Sequence, residues 1–169
     1  AGNVIGGGDW AENRIVPDCI KKWSSNKTVD IRNPNSTRPW QHVLEPLSGY
    51  LTLAIQLNQN ESLNGESFNF GPPDSNDFTV KELVDQMSQI WGESSWNDVS
   101  GDEQLKESNL LKLDCEKAFK RLNWHSTLNF NQTLEFTVNW YKSYFKNNAN
   151  VFELTLDQIQ KFNLISHSK

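Results

Sequence analysis

Three consecutive glycines set the first constraint on this chain. Ala1 to Ile5 reads as the end of a buried strand, and Gly6, Gly7 and Gly8 follow it directly. Glycine carries no Cβ, so the backbone there turns sharply or comes close to another group. A helix follows from Asn13, with Pro17 in its first turn and Ile15, Val16, Cys19, Ile20 and Trp23 along one face. The triplet lacks the G-x-G-x-x-G spacing, and no βαβ unit surrounds it, so it does not read as a dinucleotide cradle.

The same alternation continues. Thr28 to Arg32 has period two, with Val29 and Ile31 on one face and Asp30 and Arg32 on the other. Asn33 to Ser36 is turn chemistry. Trp40 to Val43 reads as a further extended piece. Pro46 then opens a helix with Leu47, Tyr50, Leu51, Ala54 and Ile55 at helical spacing. Glu66 to Gly71 is expected as a strand, with Phe68 and Phe70 opposite Asn69. Thr79 and Glu82 form a capping box ahead of a stripe of Val80, Leu83, Val84, Met87, Ile90 and Trp91. Ser95 to Val99 and Leu110 to Leu113 are expected strands, and Asp114 is placed to cap a short helix through Leu122. Asn129 or Asn131 caps a last long helix with Leu134, Val138, Tyr141 and Phe145 inward. The tail from Thr155 holds enough apolar residues, Leu156, Ile159 and Phe162, for a short docked helix. Strands alternate with helices, so the class is α/β. No linker or repeat divides residues 1–169, which read as one region.

Bulk properties narrow the function. A net charge of −5 disfavours general binding to a nucleic-acid backbone, which needs a basic surface. No eighteen-residue apolar run marks a membrane span, and no signal-peptide pattern is present. Cys19 and Cys115 have no metal spacing and are expected as reduced, buried thiols of a cytoplasmic protein. The three histidines also lack ligand spacing, so a zinc site is rejected. No Ser-His-Asp order, Walker motif or paired catalytic carboxylates stand out.

A few polar residues remain as candidates. Arg32 and Arg38 suit a diphosphate, because guanidinium pairs with phosphate bidentately and keeps its charge; by residue type alone, isolated arginines are more often solvated at the surface. Asn3 ends a strand just before the glycines and either binds a phosphate or sugar hydroxyl or ties down the loop. Asn69 is either a ligand contact or a backbone clamp. His42 lies in a strand, where a lone histidine is more often structural than catalytic.

Several segments together resemble the extended short-chain dehydrogenase/reductases, and among them the CDP-glucose 4,6-dehydratases. They are AGNVIGGGDWAENRIVPD (1–18), IRNP (31–34), RPWQHVLEPLSGYL (38–51), FNFGP (68–72), LKLDCEKA (111–118) and LNWH (122–125). The long run from Arg38 is the most specific, since the wider superfamily has Arg-Asp-aromatic where this chain has Arg38-Pro39-Trp40. The resemblance implies the C-terminal, substrate-binding part of such an enzyme, with the end of its Rossmann-type sheet. It also implies NAD as cofactor, held mainly by an N-terminal half that this sequence does not contain, and CDP-glucose as substrate. Family enzymes take hydride from C4 of the glucosyl group, lose water across C5 and C6, and return the hydride to C6. NAD ends unchanged.

Carried over residue by residue, the resemblance puts Asn3 on the substrate diphosphate and Val4 near the nicotinamide edge. Arg14 and Arg38 would hold phosphates, Arg32 would lie near the nucleotide, Asn69 would touch the sugar nucleotide, and Glu107 would lie where the base sits. The glycine loop, the Tyr-x-x-x-Lys pair and the acid/base residues of the family match nothing here, so no catalytic residue is assigned and the fragment alone is expected to be inactive. The full-length protein is expected to be a homodimer. Its Ala1 strand and Leu47 helix would belong to the cofactor domain, leaving Leu51 and Ile55 exposed in the fragment. The alternatives are a stand-alone sugar-nucleotide binding module and part of another nucleotide-sugar epimerase or dehydratase.

Overall fold

The computed structural model describes residues 1–72, 78–92, 94–101, 112–146 and 150–168. Among these residues, three two-stranded sheets lie within a set of helices. β1 (Asn3–Ile5) pairs in parallel with β4 (Trp40–His42), placing Asn3 beside Trp40 and Ile5 beside His42. Between them run α1 (Ile15–Trp23), β2 (Val29–Ile31) and β3 (Thr37–Arg38). After β4 come α2 (Leu44–Gln59), β5 (Phe78–Thr79), α3 (Val80–Trp91) and β6 (Trp96–Asp98). β2 and β6 are parallel, whereas β3 and β5 are antiparallel. α4 (Glu116–Leu122), α5 (Phe130–Lys146) and α6 (Val151–His167) complete the chain.

The main core lies where α1, α3 and α5 meet the short strands. Ile20, Trp23, Leu83, Val84, Met87, Leu134, Val138 and Tyr141 are all buried there. The period-two reading of β2 holds, with Val29 and Ile31 buried and Asp30 exposed. The capping box of α3 is also present: the Thr79 hydroxyl accepts the Glu82 N–H at 3.1 Å, and the Glu82 carboxylate accepts the Thr79 N–H at 2.8 Å. Asn129 is the cap of α5, accepting the Gln132 N–H while the Gln132 side chain accepts the Asn129 N–H. Asp114 accepts the Glu116 N–H at 2.9 Å at the start of α4.

Several expectations are corrected. Residues 66–71 form no strand, because the Gly2 N–H to Phe70 carbonyl bond of 3.3 Å is not continued into a ladder. The alternation survives: Phe70 is buried and Asn69 is exposed. Lys112 and Leu113 are not in a strand either, and positions 110 and 111 lie outside the described residues. Phe145 is 41% exposed instead of inward. The tail helix is longer than expected and starts at Val151, where Asn150 accepts the Phe152 N–H. Of its three expected docking residues only Phe162 is buried. Cys19 is buried but Cys115 is partly exposed, and neither is in a disulfide.

Candidate functional site

The Asn3 end of the β1–β4 pair opens into a cavity of about 630 Å³. Its wall combines the strand residues Asn3 and Val4, the loop residues Asp9, Asn13 and Arg14, and Pro39 with Trp40. Three of the expected contact residues, Asn3 and Val4 from β1 and Arg14 from the start of α1, therefore line one cavity. Arg14 is the N-cap of α1 with an extended backbone, and its guanidinium lies 3.5 Å from the Asp9 carboxylate. The left-handed conformation of Asn13, at φ 60°, brings Arg14 to that position.

The remaining candidates lie elsewhere. Arg38 is half-buried in β3, and its guanidinium donates to the Thr37 carbonyl at 2.8 Å. Arg32 is exposed just after β2. Neither lines the cavity around Asn3. The Asn69 amide donates to the Asp114 carbonyl at 3.0 Å, which is the backbone clamp of the two readings. Glu107 lies outside the described residues.

The glycine triplet has a packing role. A Cβ on Gly7 would stand 2.1 Å from Cγ of Trp140, so the loop lies directly on that indole of α5. Trp10 then packs edge-on to Tyr141, with ring centroids 5.3 Å apart, and the Tyr141 hydroxyl donates to the Asp9 carbonyl at 2.6 Å. Sequence reading missed this clamp because Gly7 and Trp140 are distant along the chain.

β4 is buried on both faces. Gln41 donates to the Phe70 carbonyl at 2.8 Å. His42 accepts the Leu44 N–H at Nδ1, which leaves the ring proton on Nε2 with no partner. Burial lowers its pKa to about 4, so the ring is neutral. Glu45, also buried, accepts the N–H of Thr127 at 2.9 Å and that of Leu128 at 2.6 Å. A second, larger cavity of about 1050 Å³ runs between α2, α4 and α6, lined by Ser48, Thr52, Phe119, His125 and Asn163 among others. It contains none of the candidate residues. Among the described residues, no cluster of His, Cys, Asp or Glu has the arrangement of a metal site, and no helix is long and apolar enough to cross a membrane.

No family model matches the chain. It is 46% identical over 147 residues to the CDP-glucose 4,6-dehydratase of Salmonella typhimurium, which covers 86% of this chain and 41% of that protein. The matched part is C-terminal. Among solved structures, a UDP-glucuronic acid 4-epimerase from Bacillus cereus, in complex with UDP-glucuronic acid and NAD, superposes with a TM-score of 0.69 at 17% identity. It covers 85% of this chain and 44% of its own. A dTDP-glucose 4,6-dehydratase from Bacillus anthracis, in complex with NAD, gives 0.66 at 20% identity over 84% and 43%. Those two likenesses show the fold: the chain has the α/β architecture of a part of each of those two proteins.

Proposed function

We propose that this homologue of the C-terminal part of CDP-glucose 4,6-dehydratase is the substrate-binding part of such an enzyme. The reaction is the conversion of CDP-glucose to CDP-4-keto-6-deoxyglucose and water. The observation that carries the reading is 46% identity over 86% of the chain, and the placement of Asn3, Val4 and Arg14 around one cavity supports it. The cavity supplies an amide and a cationic guanidinium, the donor types that a diphosphate takes. A sugar nucleotide held there would have its diphosphate near Arg14 and Asn3.

NAD is the cofactor of the proposed reaction. The described residues do not supply its phosphate cradle, because the glycine triplet is covered by Trp140. Val4 at the cavity wall is the residue assigned to the nicotinamide edge, and the remainder of the cofactor site belongs to an N-terminal half. We assign no catalytic residue to this chain, and we expect it to be inactive alone. In the whole enzyme the protein is a cytoplasmic homodimer on this reading.

Titration calorimetry of the chain with CDP-glucose, with UDP-glucose and dTDP-glucose as controls, tests the assignment. Selective heat with CDP-glucose, reduced at least about tenfold in affinity by Arg14→Ala, is expected for the loss of a charge-assisted phosphate contact. A folded sample that binds none of the three overturns the preformed site.

A further inference from the structure

We infer that Asp9 is a positioning residue, held by α5, that keeps the Arg14 guanidinium aimed at the diphosphate of the bound sugar nucleotide. This rests on the proposed substrate-binding reading. Arg14 is 62% exposed and has a long, flexible side chain, which by itself would sample many rotamers. A phosphate contact from such a side chain is weak unless its orientation is already restricted.

The restriction comes from a chain of contacts that starts in the core. Tyr141 is fully buried, and its hydroxyl fixes the Asp9 backbone through the 2.6 Å bond to the carbonyl oxygen. On one side of Asp9, Gly7 lies on Trp140; on the other, Trp10 is edge-on to Tyr141 and Phe145, and Lys21 donates to its carbonyl at 2.8 Å. The carboxylate is fixed as well. Its Oδ1 accepts the Ala11 N–H at 3.0 Å, leaving Oδ2 toward Arg14 at 3.5 Å. As an exposed ion pair this contact contributes little to stability. Its consequence is directional, since both Asp9 and Arg14 line the cavity. Repulsion between the Asp9 carboxylate and an incoming diphosphate is screened by solvent at the open mouth.

The test is a double-mutant cycle read by calorimetry of CDP and, separately, inorganic pyrophosphate binding to the chain. Asp9→Asn is the informative variant, because the amide oxygen still accepts the Ala11 N–H while the charge facing Arg14 is gone. The expected result is a loss of affinity of about threefold to tenfold for Asp9→Asn, with no further loss when it is added to Arg14→Ala. Tyr141→Phe, which removes only the hydroxyl bonded to Asp9, is expected to lower affinity in the same direction and to show the same dependence on Arg14. Asp9→Asn binding as tightly as the parent, or more tightly, overturns the inference and leaves the substrate reading intact. Additive losses in the double variant also overturn it, because they assign Asp9 a structural role independent of Arg14. A parent chain that binds neither ligand overturns the substrate reading itself, and this inference with it.

Discussion

At the scale of the residue, two positions show how burial sets chemistry. His42 is neutral because its site offers the imidazolium no compensating partner. Its pKa is about 4 in the folded chain against 6.5 for an ordinary histidine. Between those values the unfolded chain binds more protons than the folded one, so stability falls as pH drops from about 6.5 to about 4. The shift corresponds to about 3 kcal/mol. Urea melts at pH 7 and pH 4.5 should show this loss, and His42→Gln should flatten that part of the dependence; an unchanged slope in the variant would assign the acid sensitivity to other groups. Gly7 is the second case. An added methyl would overlap the Trp140 indole, so Gly7→Ala is expected to destabilise by about 1–3 kcal/mol through overpacking. Thermal melts check it, and an unchanged Tm would mean that the loop can lift off the ring at no cost.

At the scale of the element, α2 is held by contacts that its pattern does not announce. Its apolar stripe is regular, yet the buried members of the helix are Glu45, Pro46 and Gly49. Gly49 lets Phe70 approach, since a Cβ there would be 2.3 Å from the ring. Glu45 ties the first turn of α2 to the segment that leads into α5. Glu45→Ala would leave the Thr127 and Leu128 N–H groups buried without that acceptor, an expected loss of about 3 kcal/mol or more. Denaturant unfolding measures it; a loss under about 1 kcal/mol would mean that water takes over both donors. Local pattern was sufficient for the α3 capping box and for β2, where the determining residues are neighbours in sequence. It failed for residues 66–71, where alternation was present without a partner strand.

At the scale of the whole molecule, one surface stands out. Leu51 is 67% exposed and Ile55 60%, with Leu47 and Tyr50 alongside them on α2. A contiguous apolar stripe of this kind favours association. The chain spans 41% of the length of the dehydratase that it matches. As an isolated polypeptide it is expected to self-associate. Leu51→Lys with Ile55→Lys should shift it toward monomer with little change in Tm, as read by sedimentation velocity. A parent chain that is monomeric at high concentration would contradict this.

The sequence by itself determined the α/β class, most helix positions, the capping residues at the starts of α3 and α4 and the apolar stripe of α2, because each depends on side chains a few positions apart. It also carried the motif residues Asn3, Val4 and Arg14, whose convergence the structure then displayed. Only the tertiary structure decided that Gly7 lies on Trp140, that Tyr141 holds Asp9, that Asn69 clamps Asp114, and that Arg38 and Arg32 stand apart from the cavity. Those facts depend on which distant surfaces meet, and periodicity along one segment carries no information about the surface that packs against it.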